Sequence, residues 1–342
     1  MKKLIPLVLA LTLIFCGCGA ASSSVAPSLP ATSDVTSSTA PSQTEPAAPI
    51  TVAALKGPTA MGMVKLMADD ADQNRYAFNI AGAVDEITPK LVQGDIQIAA
   101  VPANLASVLY NNTKGQVQVL AINTLGVLYI VENGEDIHTV EDLRGKTILS
   151  AGKGATPEYA LNFMLEQNGI DPEKDVTIEY KAEHAECAAV LDVKEKTIAM
   201  LPQPFVTAAQ MKNNEIRVTL DLNREWAQAQ EKPSSLITGV VVARTDFIKT
   251  NPQAVADFLT AYKASVDYVT DPNNIEAASD LVAHYEIVSS AIAQKAIPQC
   301  NITFIAGEEM RERLSGYLAI LFDQNPKAVG GALPDENFYF VG

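Results

Sequence analysis

Short apolar, β-branched runs alternate with helical patterns over most of the chain, beginning near residue 50. The first unit is the run Ile50 to Leu55, then the turn-forming residues 56–59, then a helical pattern with Met63, Leu66 and Met67 on one face. Similar units follow to residue 122. Strands that alternate with helices form mainly parallel sheets covered by helices on both faces. The sequence therefore predicts an α/β fold.

A second α/β series begins after the apolar stretch Gly126 to Val131. It contains a predicted strand at 147–150, and the loop Gly152 to Pro157 leads from this strand into a helix. The β-branched run Gly239 to Ala243 is predicted to return the chain to the first lobe, and the remainder is mostly helical. We therefore assign residues 50–130 and 240–342 to lobe I and 131–239 to lobe II.

The first 17 residues have the features of a secretory signal peptide: Lys2 and Lys3, an apolar run to Phe15, and small residues behind it. The run is shorter than the roughly 20 residues of a spanning helix. The segment resembles a bacterial lipoprotein signal, which implies that Cys18 becomes the lipid-bearing residue after cleavage. An ordinary cleaved signal with incidental cysteines is the alternative. Residues 18–49 are rich in Ser, Thr, Ala and Pro and predict a disordered linker.

Composition narrows the classes of partner. The chain of 342 residues is 48% hydrophobic, which is enough for a large core, and its formal charge is −15. Nucleic-acid binding relies on clustered Lys and Arg, and no basic run occurs here, so a nucleic-acid partner is not expected.

Cysteine and histidine spacing gives no support for a metal site. His138, His184 and His284 have no H-x-x-x-H or C-x-x-C companion. Cys187 and Cys300 are the cysteines of the body, and an exported protein permits a disulfide between them. Two buried free thiols are an equal alternative, because the spacing does not specify a pair.

Several segments together resemble the solute-binding proteins of ABC importers, in particular the nitrate, sulfonate and taurine group with its relatives that bind or synthesise the thiamine pyrimidine. They are the lipoprotein start, the linker, the strand-Gly-Pro-Thr-helix opening, V-E-D-L-R-G-K-T-I followed by G-K-G-A-T-P-E-Y, and T-G-V-V-V-A-R-T-D-F-I-K-T-N-P. The resemblance implies a two-lobed periplasmic-binding-protein type II fold, with mainly parallel sheets flanked by helices and a ligand cleft between the lobes. It also implies an ABC permease with its ATPase as partners.

The ligand site of an open α/β sheet lies beyond the carboxyl ends of its strands. In the loop after the first strand, Gly57 allows close backbone approach and Thr59 can cap the next helix. The loop from Gly154 to Thr156 is similar. Two facing helix starts would hold one anionic group without an arginine, and ordinary capped helices are the alternative.

Other side chains are expected to face the same cleft. Asn104 can donate and accept, so it suits a polar ligand. Met61 and Tyr159 are candidates for apolar walls, although such residues at helical spacing are more often core. Glu186 would favour a basic ligand, but a solvated helix start is preferred for it. The predicted ligand-binding residues are Gly57, Pro58, Thr59, Met61, Ala83, Pro102, Asn104, Gly154, Ala155, Thr156, Tyr159, His184 and Gln203.

No catalytic motif is complete. Gly152-x-Gly154 lacks the third glycine of a dinucleotide loop, and Cys187 near His184 lacks an orienting third group. We therefore expect no enzyme activity, cofactor or metal. The predicted function is capture of a small anionic or zwitterionic solute (nitrate, sulfonate or taurine) by a monomer anchored to the outer face of the cell membrane through its lipid. A receptor for a thiamine-precursor pyrimidine is the alternative, and a secreted enzyme on the same scaffold is the second.

Overall fold

The structure is a computed structural model that describes residues 48–229 and 235–342. The predicted signal peptide, Cys18 and all but the last two residues of the predicted linker lie outside the described residues. None of the helices within those two ranges combines the length and the apolar character needed to cross a bilayer.

The described chain alternates strands and helices, as the sequence pattern predicted. The strands are β1 Ile50–Leu55, β2 Tyr76–Ala81, β3 Ile98–Pro102, β4 Val117–Leu125, β5 Leu128–Asn133, β6 Thr147–Ser150, β7 Thr177–Tyr180, β8 Thr197–Pro202, β9 Ile216–Asp221, β10 Ile237–Arg244 and β11 Ile302–Ile305. The α-helices are α1 Pro58–Met61, α2 Val64–Asp70, α3 Thr88–Gln93, α4 Ala103–Thr113, α5 Thr156–Gln167, α6 His184–Val193, α7 Phe205–Lys212, α8 Leu222–Gln228, α9 Thr245–Thr250, α10 Pro252–Thr270, α11 Ile275–His284, α12 Ser290–Ala296 and α13 Gly307–Gln324.

The strands form two sheets, each flanked by helices. The first lobe contains the six-stranded sheet, in the order β11-β4-β10-β3-β1-β2, and the second contains the five-stranded sheet, in the order β7-β6-β8-β5-β9. This is the predicted two-lobed α/β architecture. Because β5 begins at Leu128 and β10 at Ile237, the sheet strands switch lobes near residues 126 and 236. The lobe boundaries assigned from the sequence stay a prediction.

The sheets are mixed rather than mainly parallel. β1 pairs in parallel with β2 and β3, and β6 pairs in parallel with β7 and β8. The strands that arrive from the other lobe run antiparallel: Gly239 of β10 pairs with Pro102, and Leu128 of β5 pairs with Pro202. Each arriving strand starts at the carboxyl end of the strand it joins, so it must run in the opposite direction. The carboxyl ends of the parallel strands of both sheets consequently lie at the junction of the lobes.

Edge strands account for most elements that the sequence pattern missed. β9 and β11 lie at the outer edges of their sheets. β9 carries the polar residues Arg217 and Thr219 on a half-exposed pattern, and β11 has only four residues. Edge strands commonly carry charged or polar side chains, which weakens the apolar signal used to recognise a strand. Helix α8, which follows β9 directly, was missed with it.

Helical periodicity explains the core of the first lobe. In α10 the residues Val255, Phe258, Tyr262, Val266 and Val269 recur at three- and four-residue spacing and are buried. They form one apolar face, and they pack in the same cluster as the residues of β1 and α2.

Close packing at Gly239 gives a stability prediction. A Cβ atom there would lie 2.5 Å from Asn123 Oδ1 and 2.5 Å from Thr59 Cγ2, inside the sheet. We expect Gly239→Ala to lower the free energy of unfolding by about 1–3 kcal/mol, because overpacking forces neighbouring groups to move. The matched control is Gly316→Ala in the interior of α13, where nothing lies within 4 Å of the added atom. It should raise stability by about 0.5–1 kcal/mol. Equal urea midpoints for the two variants would contradict the prediction.

Candidate ligand site between the two lobes

A cavity of about 680 Å³ lies where the carboxyl ends of the two sheets meet. Leu55, Pro102 and Pro202, which end β1, β3 and β8, all line it. The lining is mostly apolar and comes from both lobes: Leu55, Lys56, Gly57, Pro58, Thr59, Gly82, Val84, Pro102, Asn104, Leu105, Val127, Leu128, Ala155, Thr156, Pro157, His184, Pro202, Gln203, Pro204, Phe205, Ala208, Thr238, Ile287, Val288 and Ile292. Its volume lies within the range of about 300–1,000 Å³ that is usual for small-molecule sites.

Nine of the thirteen residues predicted to bind ligand are brought together in this lining. They are Gly57, Pro58, Thr59, Pro102, Asn104, Ala155, Thr156, His184 and Gln203. Their contact with a ligand stays a prediction.

The other four predicted residues, Met61, Ala83, Gly154 and Tyr159, are not in the lining. Met61 is fully buried, with its sulfur 4.0 Å from Cys300 Sγ. Tyr159 is also buried, and its hydroxyl accepts a hydrogen bond from Asn325 Nδ2 at 3.3 Å. Both belong to the packed interior, which is the usual place for such residues at helical spacing.

Backbone N–H groups of two loops near the cavity are bonded to the protein's own carboxylates, and among them is the Gly154 N–H that was predicted to hold an anion. Gly154 N donates to Glu158 Oε2 at 2.5 Å. In the first lobe, Gly82 N and Ala83 N donate to Glu86 Oε1 at 3.0 and 2.9 Å. A carboxylate in the first turn of a helix compensates the partial positive charge of the free N–H groups. Each of these loops therefore already carries a bound negative charge.

Polar side chains of the lining connect the two lobes. Thr156 Oγ1, at the start of α5, donates to Asn104 Oδ1 at 3.4 Å and accepts from Tyr317 OH at 3.3 Å. Asn104 Nδ2 donates to the carbonyl of Ala328 at 3.3 Å. The two bonds of Thr156 join α5 of the second lobe to α4 and α13 of the first.

A second set of hydrogen bonds connects the lobes through Gln299. Gln203 Nε2 donates to Gln299 Oε1 at 2.8 Å, while Gln203 Oε1 accepts from Thr207 Oγ1 at 2.8 Å. Tyr129 OH donates to the carbonyl of Gln299 at 2.9 Å. Gln299 thus receives two hydrogen bonds from the second lobe.

His184 is the first residue of α6 and lies against Phe205, with 5.7 Å between the ring centroids. Its Nδ1 atom is buried and has no hydrogen-bond partner. Removal from water penalises the charged imidazolium, and this lowers the pKa of His184 from 6.5 to about 4. The imidazole in the lining is therefore neutral at neutral pH.

This shifted pKa predicts a pH dependence of stability. Between pH 6.5 and 4 the unfolded chain binds a proton at residue 184 and the folded chain does not, so acidification favours unfolding. From pH 7 to pH 5 we expect His184 to account for about 1–2 kcal/mol of lost stability. The variant His184→Gln should lose less stability than the wild type over this interval in urea denaturation. The control His138→Gln, at an exposed position, should behave as the wild type does; equal losses in all three proteins would contradict the assignment.

Sixteen of the twenty-five lining residues were not among the predicted ligand-binding residues. Thr238 lies on β10, and Val127 and Leu128 lie at the start of β5. Strands β5 and β10 begin beside the carboxyl ends of the strands that they join, which explains why these three residues line the cavity. Ile287, Val288 and Ile292 approach from the segment before and within α12, and no local pattern marks them.

The predicted absence of a Cys187–His184 catalytic pair agrees with the burial of the thiol. Cys187 is fully buried, does not line the cavity, and burial raises its pKa to about 11. A thiol with a raised pKa is a poor nucleophile at neutral pH. Cys187 and Cys300 are both free. Within residues 48–229 and 235–342 no group of three His, Cys, Asp or Glu side chains is placed to hold a metal ion.

Comparison with known proteins identifies the architecture. Residues 114–275 match the family model described as NMT1/THI5 like. The fold is similar to that of an ABC transporter protein of Parabacteroides distasonis, at 22% identity and a TM-score of 0.71, with 86% of this chain and 99% of that chain covered. No protein of a curated set matches the chain in sequence.

Two further structures belong to proteins whose solutes are named. The periplasmic aliphatic sulphonate-binding protein of Escherichia coli has 15% identity and a TM-score of 0.68, over 86% of this chain and 92% of that one. The periplasmic nitrate-binding protein of Synechocystis PCC 6803 has 13% identity and a TM-score of 0.58, over 81% and 82%. The chain therefore has the type II periplasmic-binding-protein fold and carries an NMT1/THI5-like segment, which confirms the resemblance that its sequence indicated.

Proposed function

We propose that the protein is the extracytoplasmic solute-binding lipoprotein of an ABC importer. It captures a small solute in the cavity between the lobes and delivers it to a permease driven by an ATPase. The observation that carries this proposal is the 680 Å³ cavity at the carboxyl ends of both sheets, with lining from both lobes. This is where the ligand of an open α/β sheet binds.

The cross-lobe contacts support a closing movement around the solute. The lobes are joined by β4 continuing into β5 and by the return into β10. Gln299 receives hydrogen bonds from Gln203 and Tyr129 across the cleft. Hinge closure brings such groups together around a ligand, and the ligand then stabilises the closed state.

The N-terminal sequence supports a lipid anchor. In the proposal, Cys18 carries the lipid, and the linker to residue 49 lets a monomeric receptor reach the permease from the outer face of the membrane. The protein acts without metal or cofactor.

Native mass spectrometry of the freshly purified protein tests the function. We expect one small molecule per chain, released on denaturation, and saturable binding of the same molecule to the stripped protein in calorimetry. Nitrate, taurine, an alkanesulfonate and an aminopyrimidine should be titrated in parallel. Absence of any bound or titrated solute, together with turnover of a substrate, would support a secreted enzyme and contradict the receptor.

A further inference from the structure

Most polar side chains of the cavity are already bonded within the protein. Thr59 Oγ1 donates to the carbonyl of Leu55 at 2.6 Å. Asn104, Thr156 and Gln203 make the cross-lobe bonds described above. The bonds of Thr156 to Asn104 and of Gln203 to Gln299 connect the lobes, so a ligand that replaced them would remove cross-lobe contacts.

Two residues of the lining each have a buried polar atom without a hydrogen-bond partner. The atoms are Nδ1 of His184 and Oγ1 of Thr238. An unpaired polar atom shielded from water carries a desolvation cost that a hydrogen bond removes. These two atoms are therefore where a ligand gains most from a hydrogen bond.

The rest of the lining favours an uncharged ligand. Lys56 is its one charged side chain at neutral pH, and Lys56 is exposed at the edge rather than buried. The N–H groups of Gly82, Ala83 and Gly154 near the cavity are bonded to Glu86 and Glu158. An anion in the cavity would lose its hydration without gaining a buried cation, which is unfavourable.

From these contacts we infer, on the basis of the proposed function, that the solute is an uncharged molecule with a mainly apolar body. Its hydrogen-bonding group meets His184 Nδ1 and Thr238 Oγ1. Apolar walls such as Leu105, Phe205 and Ile292 enclose the body of the solute. This replaces the anionic or zwitterionic solute that the sequence predicted.

The two atoms belong to different lobes. His184 begins α6 of the second lobe, and Thr238 lies on β10 of the first. A neutral imidazole and a hydroxyl can each donate or accept, so an amide or a hydroxyl group with a donor and an acceptor satisfies both. Such a solute bonds to both lobes at once.

A matched pair of probes tests the solute class. 2-Naphthamide and naphthalene-2-sulfonate share the same apolar ring system and differ in charge, and taurine and nitrate represent small charged solutes. In calorimetry with the stripped protein we expect the amide to bind at least tenfold more tightly than the sulfonate, and taurine and nitrate to bind more weakly still.

Three variants locate the hydrogen bonds. Thr238→Val removes the hydroxyl at nearly constant volume and should weaken 2-naphthamide binding by about three- to tenfold. His184→Phe keeps a ring of similar size and should have an effect of similar magnitude. Thr197→Val is the matched control, because Thr197 Oγ1 is also buried and unpartnered but does not line the cavity. It should leave the affinity unchanged.

The outcomes separate the solute class from the receptor function. Tighter binding of the sulfonate, of taurine or of nitrate would overturn the uncharged solute and leave the receptor intact. Failure of the amide to bind, or equal affinities of the Thr238→Val, His184→Phe and Thr197→Val proteins, would also overturn it. Only the absence of binding by every titrated solute, together with the absence of any co-purified solute, would contradict the receptor function itself.

Discussion

Replacing Trp226 by alanine is expected to lower the free energy of unfolding by about 3–5 kcal/mol. Trp226 is 1% exposed on α8. Its ring centroid lies 4.2 Å from that of Phe163 on α5 and 5.6 Å from that of Tyr317 on α13. The substitution removes apolar area and leaves a cavity that rigid neighbouring helices fill only in part.

The effect should be measured by urea denaturation followed by circular dichroism, because Trp226 is the only tryptophan and its loss removes the fluorescence signal. Trp226→Phe, which keeps one ring, should lose less than Trp226→Ala. Val193→Ala at an 80% exposed position of α6 should change stability by less than about 0.5 kcal/mol. A loss below about 1 kcal/mol for Trp226→Ala would show that the three-ring cluster does not hold α8 to α13.

Local sequence patterns were sufficient to predict the strands that consist of apolar, β-branched runs. β1 and β6 have the predicted bounds, and β10 differs from its predicted run by a few residues at the start and one at the end. Buried strands carry such runs because both faces contact helices. β9 and β11 lie at sheet edges. β9 alternates apolar and polar residues, and β11 is a four-residue run followed by a helix, so each gives a weaker or shorter apolar signal than β1 or β10.

The loops of the site were predictable for a topological reason. Leu55, Pro102 and Pro202 end strands whose carboxyl ends meet at one junction, and the rule for open α/β sheets needs only the strand order along the chain. It therefore identifies the loops without identifying the ligand.

Which amides near the cavity are free to bind a ligand depends on carboxylate side chains that bond to amides a few residues earlier in the chain. The carboxylate of Glu158 accepts a hydrogen bond from the N–H of Gly154, and that of Glu86 accepts hydrogen bonds from the N–H groups of Gly82 and Ala83. Each carboxylate is three or four residues beyond the amides that it accepts from, so the signal was present in the sequence. A glycine-rich loop followed by Glu in the first helical turn predicts a self-capped helix start as well as an anion site, and the hydrogen bonds decide between them.

Filling the cavity is expected to abolish binding while leaving the fold intact. Ala208 lies on α7 and lines the cavity, and its side chain is only partly buried. An indole at this position would occupy space that the solute needs. We expect Ala208→Trp to weaken 2-naphthamide binding at least a hundredfold, which corresponds to about 2.7 kcal/mol. Ala208→Leu should have an intermediate effect because its side chain is smaller.

The control places the same indole on the same helix but outside the cavity. Met211 is 43% exposed and does not line the cavity, so Met211→Trp should bind 2-naphthamide with wild-type affinity. Calorimetry gives the affinities, and thermal denaturation of each protein separates loss of binding from loss of folding. If Ala208→Trp folds as the wild type does and binds 2-naphthamide with unchanged affinity, the probe must occupy another site. The indole side chain and the probe cannot fill the same space in the cavity.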